Sequence, residues 1–160
     1  MEIRLAKIDE LDSILKIYDK AIAFMRAHGN DKQWVNGYPS RELLTQDIKD
    51  KHLYVVTTEK EIVAVFSYVI GIDPTYIEID GKWLNDEEYG VVHRIASNGK
   101  EKGIAHFVFD WALNKCPNLR IDTHEVNIPM RTLLIKEGFK ECGIITIADG
   151  TLRIAYHKVI

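Results

Sequence analysis

Lys100-Glu101-Lys102-Gly103-Ile104-Ala105 joins two segments of different periodicity, and its reading decides the fold. Gly90-Val91-Val92-His93-Arg94-Ile95-Ala96-Ser97 before it is an apolar run that predicts a strand. Ala105-His106-Phe107-Val108-Phe109-Asp110-Trp111-Ala112-Leu113 after it predicts a helix, closed off before Pro117. A strand that passes through a small-residue turn into a helix presents backbone N–H groups at the helix start, where an anion can bind. Gly103 and Ala105 are the residues that would let a phosphate approach the backbone closely.

Outward from that turn, the pattern alternates between strand and helix. Ile3 and Leu5 alternate with polar residues as a short first strand. Asp9 precedes a helical repeat of Leu11, Ile14, Leu15, Tyr18, Ala21, Ile22 and Met25, which His28-Gly29-Asn30 stops. Ser40 is placed to cap a second helix, Arg41 to Lys49. His52 to Thr58 and Glu61 to Ile70 predict a hairpin across Glu59-Lys60. Tyr76, Ile77 and Ile79 predict a short strand, with a turn at Asp80-Gly81. Gly90–Ser97 is then the fourth major strand and Leu119 to His124 the fifth. Asn127 and Pro129 open a helix with Met130, Leu133 and Leu134 facing inward, ended by Gly138. Phe139 to Ile147 and Leu152 to Val159 predict a final hairpin across Asp149-Gly150. The expected class is α/β, a mixed sheet of about seven strands with helices on both faces.

Composition narrows the function. A chain of 160 residues with 46% hydrophobic and 28% charged residues is expected to form a single domain, residues 1–160. A net charge of −3 gives no support to a nucleic-acid surface. Cys116 and Cys142 form no CxxC pair and predict neither a disulfide framework nor a metal site. No apolar run has membrane length, and Met1-Glu2-Ile3-Arg4 lacks the layout of a signal peptide, so the expected compartment is the cytoplasm.

The whole layout resembles the GNAT superfamily of acyl-CoA-dependent N-acyltransferases. Lys100 to Ala105 fits that family's pyrophosphate loop, Q/R-x-x-G-x-G/A, with lysine in place of the usual Gln or Arg. Asn127 stands eleven residues before Gly138-Phe139, the spacing common in the family. The resemblance implies acetyl-CoA or coenzyme A as co-substrate, no metal, and a sheet whose fourth and fifth strands splay. It implies that Ile95, Ala96 and Ser97 offer backbone groups to the pantetheine arm, which lies along the strand as an added strand does. Lys100, Glu101, Lys102, Gly103, Ile104 and Ala105 would surround the pyrophosphate, and Asn127 would bond the pantetheine amide region or simply cap its helix.

Acetyl transfer to an amine requires removing a proton from the amine, donors for the oxyanion, and departure of a thiolate. Many members of the family place a tyrosine, as acid for the thiolate, eight positions into the Asn-to-Phe segment; here that residue is Leu134. His93 is the candidate base, since an imidazole titrates near neutrality and strand alternation places it with Val91 and Ile95; the alternative is a histidine packed under the sheet. His124, at the end of the fifth strand, and Tyr156, on the last, are further candidates for proton transfer, although His124 also fits a bonded strand-end residue. Trp34 and Tyr38 are large rings in an otherwise polar loop, so they either wall an acceptor pocket or pin the loop to the core. Asp73, Glu78, Asp80, Asp86, Glu87 and Glu88 make the segment before the fourth strand acidic, as either a field for a cationic amine or a solvated hairpin.

The reading favours an N-acetyltransferase acting on a primary amine of a small molecule or peptide. Its alternatives are a catalytically weak acyl-CoA sensor or structural module, and an acyltransferase for longer chains. A homodimer is a reasonable expectation from the exposed strand edges.

Overall fold

The computed structural model describes residues 1–160. Eight strands form one mixed sheet: β1 (Glu2–Leu5), β2 (Leu53–Thr57), β3 (Ile62–Ile70), β4 (Asp80–Gly81), β5 (Gly90–Ser97), β6 (Asn118–Thr123), β7 (Lys140–Thr146) and β8 (Leu152–Val159). Four helices accompany them: α1 (Leu11–Ala27), α2 (Arg41–Lys49), α3 (Ile104–Lys115) and α4 (Ile128–Lys136). The strand order is β1-β2-β3-β5-β6-β8-β7-β4. The backbone divides into two compact units, Met1–Tyr68 with His93–Val108, and Val69–Val92 with Phe109–Ile160.

In the first unit, β1, β2 and β3 are antiparallel, with Ile3 opposite Val56 and Val55 opposite Val65. α1 and α2 bury their apolar stripes on this sheet. Leu11, Ile14, Ile17 and Tyr18 from α1 and Leu44 from α2 pack with Leu53, Val55, Val65 and Ala96. Ser40 caps α2 as its sequence requires, its hydroxyl accepting from the Leu43 N–H at 3.1 Å. Arg4 fixes the entry to α1 by a bidentate contact with Glu10, at 2.9 and 2.6 Å.

In the second unit, β5 and β6 run parallel, Gly90 opposite Leu119 and Val91 opposite Arg120, at the start of both strands. β6 pairs along its whole length with β8, which forms the last hairpin with β7. Tyr76, Trp83, Tyr89, Val91, Ile145 and Ala155 make the core here. Phe109 and Phe139 meet edge to face at 5.2 Å.

The mixed α/β sheet is as expected, with eight strands for the expected seven or so. One expectation is corrected: residues 76–81 do not form a strand followed by a turn. Pro74–Tyr76 is a short 3-10 turn whose first N–H groups are served by Asp73, the side chain accepting from Thr75 at 2.9 Å. Asp80–Gly81 is instead the extra strand, paired with Ile144 and Gly143 of β7. Glycine on both sides makes this pairing feasible. Gly81 has φ +138° and Gly143 φ +148°, and a Cβ on Gly81 would stand 2.7 Å from the Gly143 Cα.

Candidate functional site

The predicted anion turn has the backbone its residues suggested. Gly103 has φ +75°, a left-handed step that favours glycine, and a Cβ there would meet nothing within 4 Å. The first bond closing α3 runs from Phe107 N–H to Gly103 O at 3.0 Å. The N–H groups of Ile104 and Ala105 therefore precede the helical ladder and have no helical acceptor. Polar side chains stiffen the approach: the Gly99 N–H donates to Ser97 Oγ and the Lys100 N–H to Asn98 Oδ1, each at 3.0 Å. Lys100 reaches back to Glu61, Nζ to Oε1 at 3.0 Å, on the exposed surface. That pair is solvent-screened and weakly held, so the ammonium can turn to an anion at small cost. Glu101, Lys102 and Gly103 are exposed. Helix start, open glycine and two lysines fit a diphosphate.

β5 carries the site away from the turn, and it is not a regular strand. Arg94 has φ +53°, a conformation that costs a non-glycine residue roughly 1–2 kcal/mol. This left-handed step falls between His93 and Ile95, the two positions grouped with Val91. His93 and Ile95 are half-buried, and Ala96 is buried in the first unit's core.

Arg94 is the residue that sequence reasoning missed. Its guanidinium forms a short ion pair with Asp47 of α2, and both side chains are nearly buried, 13% and 11% exposed. Its Nη1 donates to the Tyr38 hydroxyl at 3.2 Å, and its carbonyl accepts from the Tyr18 hydroxyl at 2.8 Å. Burial works against this cation, but Tyr38 and Asp47 outweigh it and raise the guanidinium above its ordinary value. Burial also pushes the Tyr18 phenol up, against the opposing effect of Arg94. A signal existed: Arg94 is the one ionised residue in an apolar strand, and Asp47 sits on the apolar face of α2 beside Leu44 and Ile48.

Trp34 and Tyr38 both lie at this cluster. Trp34 packs edge to face on Tyr18 at 5.5 Å and is half-buried against the core. Tyr38 is 40% exposed, with its hydroxyl on Arg94. Arg26 holds the loop between them and α1 by donating to the carbonyls of Asn30, Gln33 and Trp34, each at 3.0 Å.

The remaining candidates belong to the second unit. Asn127 is the N-cap of α4, its Oδ1 accepting from the Met130 N–H at 3.2 Å. His124 is half-buried, its Nδ1 accepting from the Val126 N–H at 3.2 Å. Tyr156 is 1% exposed, and its hydroxyl accepts from Arg131 Nε at 3.3 Å. Burial raises its phenol, partly offset by Arg131. Leu134 is fully buried, so that position supplies packing and no proton.

The acidic segment is held by groups the sequence did not single out. Tyr76 donates its hydroxyl proton to Asp122 at 2.6 Å. The Arg120 guanidinium lies 3.8 Å from the Tyr89 ring centroid and 4.2 Å from that of Trp83, and Nη2 donates to Asn85 O at 2.8 Å. Buried His157 accepts from the Leu84 N–H at Nδ1, 3.1 Å, so its proton sits on Nε2 and is given to Asn118 Oδ1 in a short hydrogen bond. Burial, with Arg120 nearby, lowers the imidazole to about 4. Glu78, Asp80, Asp86, Glu87 and Glu88 face solvent. No group of three His, Cys, Asp or Glu side chains is arranged to hold a metal ion, and no helix is long and apolar enough to cross a membrane.

No protein-family model and no curated protein matches the chain. Solved structures do. An acetyltransferase of the GNAT family from Streptococcus agalactiae is 32% identical, with TM-score 0.89 over 99% of this chain and 95% of that one. A candidate acetyltransferase from Staphylococcus aureus is 25% identical, with TM-score 0.72 over 99% of both chains. A GNAT-family acetyltransferase from Listeria monocytogenes, 17% identical with TM-score 0.71, covers 99% of this chain and 94% of its own; it shares the fold.

Proposed function

The chain belongs to the GNAT family of acetyltransferases, and from that premise we propose that it transfers an acetyl group from acetyl-CoA to a primary amine of a small molecule or peptide, by direct attack in a ternary complex. The observation that carries this reading is the start of α3, with Gly103 at φ +75° and open space above it. The N–H groups of Ile104 and Ala105 and the side chains of Lys100 and Lys102 would receive the pyrophosphate there. A lysine acts as a mobile point charge where arginine would offer a fork, so Lys100 contributes charge more than orientation. The backbone of Ile95 to Ser97 would pair with the pantetheine arm, and Asn127 would meet its amide end. Acetyl-CoA supplies an activated acyl group on a thiol leaving group of pKa about 8.5.

The chain's own residues have three tasks at the acyl carbon. Backbone N–H groups near Ile95 stabilise developing negative charge on the acyl oxygen without reorganising. His93 takes the proton from the attacking amine, directly or through water, with His124 as the other imidazole available. Tyr156 is the tyrosine left for the departing thiolate, since Leu134 is buried and aliphatic. Trp34 and Tyr38 wall the acceptor side. Leu134 also favours a second reading, a chain that binds acyl-CoA with little or no turnover.

Thiol release from acetyl-CoA across a panel of amines separates the two readings. Release that depends on the amine, and falls at least tenfold in His93→Ala, supports the transferase and its base. Coenzyme A binding without release on any amine supports the sensor. An unchanged rate in His93→Ala removes the base assignment alone.

A further inference from the structure

Tyrosine hydroxyls in this chain differ in what they do with their proton. Tyr18 gives its proton to the Arg94 carbonyl, and Tyr76 gives its own to Asp122. Tyr38 does the opposite: its oxygen accepts from Arg94 Nη1, so its O–H points away from the guanidinium. Tyr38 is also the exposed member of the cluster, whereas Tyr18 is buried. One N–H of Arg94 Nη2 goes to Asp47 and one of Nη1 to Tyr38, Nε is buried without a partner, and the side chain is 13% exposed. Tyr38 is 40% exposed, so the most outward-facing polar group of this cluster is its hydroxyl, with its proton free to be donated.

We propose that Arg94 is a positioning residue for acceptor recognition: it occupies a lone pair of the Tyr38 hydroxyl, so that Tyr38 donates to an oxygen carried by the acceptor and selects an amino-acid or peptide amine over a bare polyamine. The inference rests on the reading that the Asn30–Pro39 loop walls the acceptor site. Its geometry is fixed from three sides. Tyr18 holds the Arg94 carbonyl, Asp47 holds the guanidinium, and Arg26 anchors the loop that carries Tyr38. The Arg94–Asp47 pair is neutral as a unit, so the cation does not repel an incoming amine. A carbonyl or carboxylate oxygen next to the amine matches a donor hydroxyl; a diamine has only donors or a second amine to offer.

Two amine probes decide it, by how each responds to substitution: alanyl-alanine amide, which carries a carbonyl oxygen beside its amine, and putrescine, which carries none. Each is titrated by calorimetry into the full chain, with and without saturating coenzyme A. The wild type is expected to bind the dipeptide more tightly than putrescine. Tyr38→Phe is expected to weaken the dipeptide about tenfold, the loss of one hydrogen bond, while putrescine changes less than twofold. Arg94→Met is expected to reproduce the loss of discrimination, and Arg94→Lys to restore part of it. Tyr38→Phe with Arg94→Met should be no worse for discrimination than either alone. Where turnover is measured, the Tyr38→Phe effect should fall on the acceptor KM, with kcat nearly unchanged. Equal weakening of both probes in Tyr38→Phe, no weakening, or a dipeptide that binds no better than putrescine overturns the proposal. Tyr38→Phe keeps the test open if Arg94→Met fails to fold. Failure of coenzyme A to raise the melting temperature would strike the cofactor reading instead, and the titration without coenzyme A still decides this one.

Discussion

Asp47→Ala should destabilise the chain far more than an ordinary surface ion-pair deletion. Arg94 and Asp47 are 13% and 11% exposed, so they sit between the surface and interior limits. Unit charges about 4 Å apart attract by roughly 4 kcal/mol at an effective dielectric of about 20, and desolvation offsets much of this in the intact pair. Removing one partner leaves the other's desolvation uncompensated, which costs about 3–5 kcal/mol in a buried site. Here the stranded guanidinium already has a buried Nε without a partner, and its backbone is already held at φ +53°. A little water reaches the pair, so the low end applies, about 3 kcal/mol. For a chain this size that lowers the melting temperature by roughly 6–12 °C. Asp47→Asn keeps volume and an acceptor and should lose about half as much. Replacing both residues, Asp47→Leu with Arg94→Met, should return to within about 1–2 kcal/mol of the wild type, because no charge is left buried. Urea unfolding with a common slope measures all four chains. A loss below about 1 kcal/mol in Asp47→Ala, or a double variant no more stable than Asp47→Ala, would refute the reasoning.

Two further outcomes follow from other parts of the molecule. Gly103→Ala meets no steric barrier, since a Cβ there has nothing within 4 Å, but its φ of +75° makes it strained by roughly 1–2 kcal/mol. Its melting temperature should fall by a few degrees, and the rise produced by coenzyme A should shrink with it; an undiminished rise would show that the turn does not face the cofactor. His157 is held neutral, with an imidazole lowered to about 4 against about 6.5 in the unfolded chain. Below pH of about 6.5 the unfolded chain binds a proton that the folded chain refuses, so stability is present above that pH and is lost as pH falls toward 4. The loss approaches 3 kcal/mol, and His157→Gln should flatten the melting-temperature slope in that window; parallel slopes for the two chains would contradict it.

Much of the fold was legible because local chemistry agreed with the tertiary outcome. Ser40 and Asn127 cap the helices they precede, and Gly138 stands just past the end of α4 at φ +89°. Segment 76–81 misled for two reasons. Tyr76, Ile77 and Ile79 read as strand residues, but Asp73 and Pro74 start a 3-10 turn that takes in Tyr76 and ends at Ile77. The pairing of Asp80–Gly81 with β7 depends on Gly143, more than sixty residues away in sequence, where no local pattern can announce it. The candidate site divides in the same way. The anion turn follows from strand, glycine and helix in succession. The Arg94 cluster joins residues 47, 56 and 76 positions apart in the chain, a separation beyond the reach of any local pattern.

The melting temperature of the full chain with coenzyme A tests the central claim most directly. A ligand at about a hundred times its dissociation constant stabilises by roughly 2.7 kcal/mol, which for this size is a rise of about 5–11 °C. The account predicts that rise with coenzyme A, and a much smaller one with pantetheine, which lacks the pyrophosphate that α3 would receive. An unchanged melting temperature at millimolar coenzyme A, or equal rises with the two compounds, would contradict it.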